Sequence, residues 1–397
     1  MLAVRSAAAA AALALAALLV AAPSAAAAVA DKRYAPPPGA WARFQSDLTA
    51  AEGLATGSGV TVALLSTGAD PAVPGLAGKV TSGPDYIFAP RIAATDMLGT
   101  LTAALIVGEP GVVRGVAPGA RVLALRTEPD PFEPGYSGFF SGPHDTDTQP
   151  VNAAAIRYAV SRGARVILVD SDSYAAPDPA LLAAVSYALS RNVVIVAPVP
   201  ASAPKWSWEY QYPSGLPGVI GVSAVMLPGG EPPFSAFTAQ RNNSVLISGP
   251  ADTVAASATG WELDDFATAA TYVAATVALI KERYPALRPA LVARALAMSA
   301  RYRPRHGYAP SAGFGVLDPY NAVIDAGRLA AGPVAAAGGV GAGARFGGPP
   351  PGPVSALPPA GSLPAVFWAL LGAGAVLLVT VVAVGWRVSS QQLPEPE

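Results

Sequence analysis

The 397-residue sequence contains no cysteine. That excludes disulfides, thiolate metal sites and thiol catalysis, so whatever folds is held by core burial alone. Histidine is nearly as scarce, with two residues, His144 and His306. His144 lies in Ser-Gly-Pro-His-Asp-Thr-Asp and His306 in Arg-Tyr-Arg-Pro-Arg-His-Gly, and both read as solvated loop residues. His144 with Asp145 and Asp147 offers only weak cation binding, and two histidines without cysteine do not make a zinc site. No metal and no cofactor is expected. Charge is also sparse: 25 Lys+Arg against 26 Asp+Glu leave no basic footprint, which excludes nucleic acid as a partner.

Apolar residues, by contrast, make up 52% of the chain, enough for a large core. Part of that hydrophobicity sits at the ends. Residues 1–30 carry Arg5, an Ala/Leu/Val-rich run and a small-x-small exit, the pattern of a secretory signal cleaved after Ala28 or Ala30. Val366 to Trp386 carries no charge, has Trp368 and Trp386 at its borders and is followed by Arg387, as expected of a bilayer-spanning helix. The expected topology is a single-pass cell-membrane protein with its bulk outside and a cytoplasmic tail at 387–397.

Between the ends, a Pro-rich lead-in and a short helical pattern around Trp41 to Leu54 occupy 31–58. Apolar, β-branched runs then alternate with helical patterns. Strands are expected at Val60–Leu65, Val122–Arg126, Val166–Val169, Val193–Ala197 and Val219–Val225. Helices are expected at Ala94–Ile106, Val151–Ser161, Pro179–Ser190, Phe266–Tyr284 and Pro289–Met298. Such alternation implies α/β architecture with a mainly parallel sheet between helix layers over 59–326. From 327 to 364 the chain turns to Gly, Ala and Pro, the composition of a flexible linker ahead of the span at 365–386.

Several segments resemble subtilisin-like serine proteases in both pattern and order. GVTVALLSTGAD (59–70) is similar to the strand and turn that carry the catalytic aspartate, and DMLGTLTAALIVG (96–108) to the His-Gly-Thr helix. GVAPGARVLALR (115–126), AAIRYAVSRGARVILV (154–169) and YPSGLPGVIGVSAV (212–225) resemble the succeeding strands, and DFATAATYVAATVALIKERYP (265–285) the helix bearing the nucleophile. GFGVLDPYNAV (313–323) is similar to the closing Gly-Tyr-Gly turn. With the proline-rich start and the C-terminal span, the chain resembles the mycosins, the membrane-anchored subtilisin relatives of actinobacterial type VII secretion systems. The resemblance implies a subtilisin-like three-layer fold plus one transmembrane helix, and secretion-complex components as partners.

Acyl transfer in that family needs a serine, a histidine that takes its proton, an aspartate that orients the histidine, and an oxyanion donor. Where the resemblance places the aspartate the chain has Ser66, and where it places the histidine, Leu98. The serine position holds Ala267, and the oxyanion asparagine falls at or beside Ala201. Ser66 is then expected to be a turn residue satisfying local backbone. Asp265, at a helix start, reads as a cap, and Asp264–Asp265 as a poor acid/base pair. Losing one oxyanion-hole donor alone costs about 10²–10³ in rate. The sequence therefore points to a pseudoprotease acting as scaffold or stabiliser. Two alternatives stay open: an active serine endopeptidase whose site lies elsewhere in the chain, and a module that binds peptides in the old groove without cutting them.

Overall fold

The computed structural model describes residues 36–87, 98–109, 114–130, 133, 136, 148–170, 177–199, 211–230, 243–252, 254–255, 262–263 and 265–332. By its contacts the chain divides into Met1–Gly332 and Pro333–Glu397, and the second unit lies outside the described residues. So do the signal segment, His144 and Ala201, and with them the expected span at 365–386. Among the described residues no helix is long and apolar enough to cross a membrane.

Seven strands form one sheet: β1 (Thr61–Ser66), β2 (Val80–Asp85), β3 (Arg121–Arg126), β4 (Val166–Val169), β5 (Val194–Pro198), β6 (Ile220–Val225) and β7 (Val245–Pro250). Their spatial order is β2-β3-β1-β4-β5-β6-β7, and every pairing is parallel. Two short strands, β8 (Val254–Ala255) and β9 (Glu262–Leu263), pair antiparallel apart from it. A strand buried on both faces needs no polar alternation, which is why Val166–Val169 reads as an unbroken apolar run.

The pleat sends alternate side chains into two separate cores. Val62, Leu64, Val122, Ala124, Val166, Leu168, Val194 and Val196 face the larger one. There they meet helices α1 (Ala40–Glu52), α2 (Leu98–Val107), α5 (Asp265–Arg283), α6 (Pro289–Ser299) and α7 (Pro319–Ala331). Ala63, Leu65, Leu123, Leu125, Ile167, Val169 and Ile195 face the smaller core, closed by α3 (Gln149–Ser161) and α4 (Pro179–Ser190). The result is three layers, helices on both faces of a parallel sheet.

The central helix α5 lies close to the sheet because its inner face is small. Ala269, Ala270, Ala274, Ala275 and Ala278 are fully buried, and a Cβ on Gly249 of β7 would stand 2.4 Å from the Ala269 carbonyl oxygen. Thr271 turns its hydroxyl back to the Ala267 carbonyl within the same helix.

β4 and α4 coincide with the runs expected from sequence, and the other expected elements shift at their described ends by one or two residues. Residues 94–97 of the expected second helix lie outside the described residues. The edge strands β2 and β7 and the helix α7 were not foreseen. α7 runs to Ala331, so residues 327–331 are helical where a linker was expected. It packs against α1, which joins the N-terminal lead-in to the same body.

Near the far end of α5, Lys281 is 1% exposed and donates to three oxygens: the Asn192 carbonyl at 3.0 Å, Asn192 Oδ1 at 2.9 Å and the Leu287 carbonyl at 2.7 Å. Asn192, in the left-handed region at φ 62°, in turn donates to the Pro285 carbonyl. The cation thus ties α5 to the α4–β5 turn. Lys281→Met should leave these acceptors buried without a donor and cost about 2–4 kcal/mol. Arg328→Ala, which removes a 73%-exposed partner of Asp325, should change stability by less than about 0.5 kcal/mol. Urea midpoints of the two variants at neutral pH check the difference.

Candidate functional site

In a parallel sheet with helices on both faces, ligands gather outside the carboxyl ends of the strands, where the strand order reverses. Here the chain builds β2 and β3 on one side of β1 and β4 to β7 on the other, so the reversal falls between β1 and β4. Ser66 ends β1, and Asp170 directly follows β4, whose last pair across the two strands is Leu65 with Val169.

These two side chains meet. Ser66 Oγ donates to Asp170 Oδ2 at 3.0 Å, and the Asp170 amide donates to the Leu65 carbonyl at 2.9 Å. Ser66 is fully buried and Asp170 partly so. The expectation that Ser66 satisfies only local backbone is thereby corrected. It is the last residue of a strand, and its hydroxyl serves a carboxylate 104 positions away. Burial pushes the Asp170 carboxyl up to about 6, against the Ser66 hydrogen bond that lowers it.

The turn after β1 is joined to the start of α2. Thr67 Oγ1 accepts from the Gly99 amide at 3.0 Å, and Thr100 Oγ1 accepts from the Asp70 amide at 2.9 Å. A Cβ on residue 99 would stand 1.8 Å from the Gly68 carbonyl oxygen, so glycine is required there for steric reasons. Leu98, partly buried against the larger core, is therefore held beside the Ser66–Thr67 turn, and its amide donates to Asp130 Oδ2 at 2.8 Å.

Behind that amide lies a network that sequence reasoning missed. Arg126, 2% exposed, pairs with Glu133 at 2.6 Å and with Asp85 at 2.8 Å, and Glu133 Oε2 also accepts from the Asp130 amide at 3.1 Å. The buried charges thus lead from β3 to the N-terminus of α2, where a carboxylate meets the positive end of the helix dipole. Ala267 is in the first turn of α5, which packs against both α2 and β1. α5 begins at Asp265, whose side chain lies outside the described residues. Among the described residues no group of acids and histidines could hold a metal, and His306 is exposed in the turn after α6.

The family model for the subtilase family, Peptidase_S8, matches residues 57–315. This chain belongs to the subtilase family. It is 31% identical to Mycosin-4 of Mycobacterium tuberculosis, with 70% of this chain and 68% of the relative covered. To Mycosin-1 of the same organism it is 28% identical, covering 70% and 71%. Among solved structures it is similar to the MycP3 protease from the type VII (ESX-3) secretion system, with 27% identity, a TM-score of 0.57, and 74% and 89% of the two chains covered. The chain is a mycosin-like subtilase homologue with the subtilisin-like α/β fold, related to proteins of type VII secretion.

Asp170 was missed because an acid after an apolar run looks like any strand exit, and only the β1–β4 pairing shows which hydroxyl it meets. Its electrostatics make a sharp prediction. The folded-state value near 6 lies above the ordinary 3.8, so between those values the native state holds a proton that the unfolded chain has released. Stability from this group is therefore present at low pH and falls as pH rises through that window. Asp170→Asn should stabilise the protein by about 1–3 kcal/mol at pH 7.5 and leave it unchanged near pH 3.5, as read by denaturant melts at both values.

Proposed function

We propose that this subtilase homologue does not hydrolyse peptides and acts as a scaffold or stabilising component of a type VII secretion membrane complex, exported and anchored by the span at 365–386. The observation that carries the reading is the Ser66–Asp170 pair. A triad carboxylate must reach an imidazole nitrogen and hold it toward the nucleophile. Here the position after β1 has a hydroxyl, and the nearby carboxylate is engaged by that hydroxyl. The α2 position beside the same turn is Leu98, which carries no titratable group, and the α5 position is Ala267, which has no nucleophile.

The scaffold itself is retained. The Gly68–Gly99 approach, the Thr67 and Thr100 bonds and the small face of α5 all preserve the fold around positions that no longer carry the chemistry. The likeness to mycosins, one of them described as a protease of a type VII system, supports secretion-complex components as the partners. Co-purification of the detergent-solubilised full chain with its membrane partners tests the second half of the proposal, and recovery of the chain alone would count against it.

Two outcomes test the first half. A serine-reactive fluorophosphonate should not label the full-length protein, and labelling abolished by mutating one particular serine would reveal an active site elsewhere. The four-fold variant Ser66→Asp, Leu98→His, Ala201→Asn, Ala267→Ser should stay near background in peptide cleavage. The new carboxylate at position 66 would sit beside Asp170, and two carboxylates in contact cannot both ionise. Adding Asp170→Asn or Asp265→Gly to the four changes should each raise activity measurably. Family-like rates from the four-fold variant alone would defeat this account.

A further inference from the structure

The overall charge is balanced, with 25 Lys+Arg against 26 Asp+Glu, but the fold does not spread it evenly. In a parallel sheet all strands begin at one pole, and the crossover helices between them end there. At that pole, opposite Ser66 and Asp170, the described residues present six exposed arginines: Arg121, Arg162, Arg165, Arg191, Arg283 and Arg288. Backbone hydrogen bonds hold them along one surface. The Arg121 amide donates to the Val60 carbonyl and the Arg165 amide to the Thr61 carbonyl, both at 2.9 Å, so the two flank the start of β1. The Arg165 carbonyl accepts from the Val194 amide, just after Arg191, and Asn192 donates to the Pro285 carbonyl, between Arg283 and Arg288. Among the described residues none of the six is in an ion pair. The acids of this pole are already engaged: Glu52 pairs with Arg114, Glu109 with Lys79, and Glu282 Oε2 accepts from the Thr56 and Gly57 amides.

Helix ends explain only half of this crowding. Arg162 and Arg191 cap the C-termini of α3 and α4, and Arg283 ends α5, where cations suit the helix dipole. Arg121 and Arg165 instead stand at strand starts, and Arg288 is the N-cap of α6, where the dipole opposes a cation. The like charges also act on a neighbour: burial first, and the Arg165 charge second, push Lys281 down to about 8. We propose that this arginine pole docks on an anionic phospholipid surface. Guanidinium forks match phosphate oxygens, and each basic side chain brought to an anionic bilayer strengthens binding about five-fold. The exposed large apolar side chains lie elsewhere: Leu182 and Tyr187 within α4, Met298 near the end of α6 and Met226 after β6. The pole therefore lacks the apolar anchors that dominate protein interfaces. The described chain also ends on this side. α7 starts beside Arg301 at Asp318, passes Tyr284, the neighbour of Arg283, at Gly327, and finishes at Ala331. The inference rests on the anchored reading above, which gives the exported chain a bilayer to meet.

The test uses the cysteine-free full chain in nanodiscs of phosphatidylcholine, with or without about 30% phosphatidylglycerol. A fluorophore is attached at Ser190→Cys, at the pole end of α4, or at Ala180→Cys, about 15 Å away at its other end. A lipid with a quencher on its headgroup reports how near each label lies to the bilayer. At about 0.1 M salt the Ser190 label should be quenched at least about two-fold more with anionic lipid than without, and the Ala180 label equally in both. The difference should vanish at about 0.5 M salt, and in the triple variant Arg121→Gln, Arg165→Gln, Arg288→Gln with its thermal transition retained. No lipid dependence at position 190, an equal response at both ends of α4, or a response that survives salt or the triple variant would overturn the proposal. Shielding of the Ser190 label by co-purified membrane proteins alone, without any response to anionic lipid, would assign the pole to an acidic protein and overturn it too. Should the triple variant fail to fold, the salt dependence still decides. Failure of the chain to enter zwitterionic nanodiscs would sink the anchored reading by itself. Flotation with anionic but not zwitterionic vesicles would then still support the lipid-binding pole, and flotation with neither would overturn it.

Discussion

Between Gly68 and Gly99 the backbone of the first βα turn and the start of α2 come so close that a single added carbon would lie 1.8 Å from a carbonyl oxygen. Two threonine hydroxyls close the same joint by receiving backbone amides from the opposite side. This approach sets where the carboxyl end of β1 stands relative to the N-terminus of α2, and therefore where residues 66 and 98 stand relative to each other. It is made of backbone and of two threonine hydroxyls. The joint does not depend on the side chains of residues 66 and 98.

The charges near that joint fall into two kinds. Arg126, Glu133 and Asp130 form a matched set that ends on the Leu98 amide, and buried charges paired in this way order the structure even when they add little net stability. Asp170 has no cation within ion-pair distance among the described residues and accepts from the Ser66 hydroxyl. The first set reads as architecture. The second is a local cost that a stability-driven sequence would remove, and it lies where the strand order reverses.

The interior of the sheet was legible because strands covered on both faces are continuous apolar runs, and the helices between them repeat at helical spacing. The edges were not. β2 reads VTSGPD, with a proline and a single buried residue, since an edge strand is covered less and tolerates a missing donor. α7 was cut short at Gly327 because glycine and alanine there merge with the Gly/Ala/Pro tract that follows. Tertiary contact favours that glycine: a Cβ on it would lie 2.3 Å from the hydroxyl of Tyr284, the residue after α5, and would push that ring aside. Asp318 caps the same helix by accepting from the Asn321 amide at 2.9 Å, and Pro319 opens it.

By itself the sequence determined the three-layer α/β class, through the alternation of buried strands and helices, and the chemical identity of positions 66, 98 and 267. It also determined that no thiol and few imidazoles could take part. It could not place Asp170, because a run of the form VILVD says only that a strand ends at an acid. Only the folded sheet decides that β4 lies against β1 with Val169 opposite Leu65. Pairing between strands distant in sequence is set by crossover geometry and core packing. That pairing brings a hydroxyl and a carboxylate separated by 104 residues to within 3.0 Å, at the place where the strand order reverses.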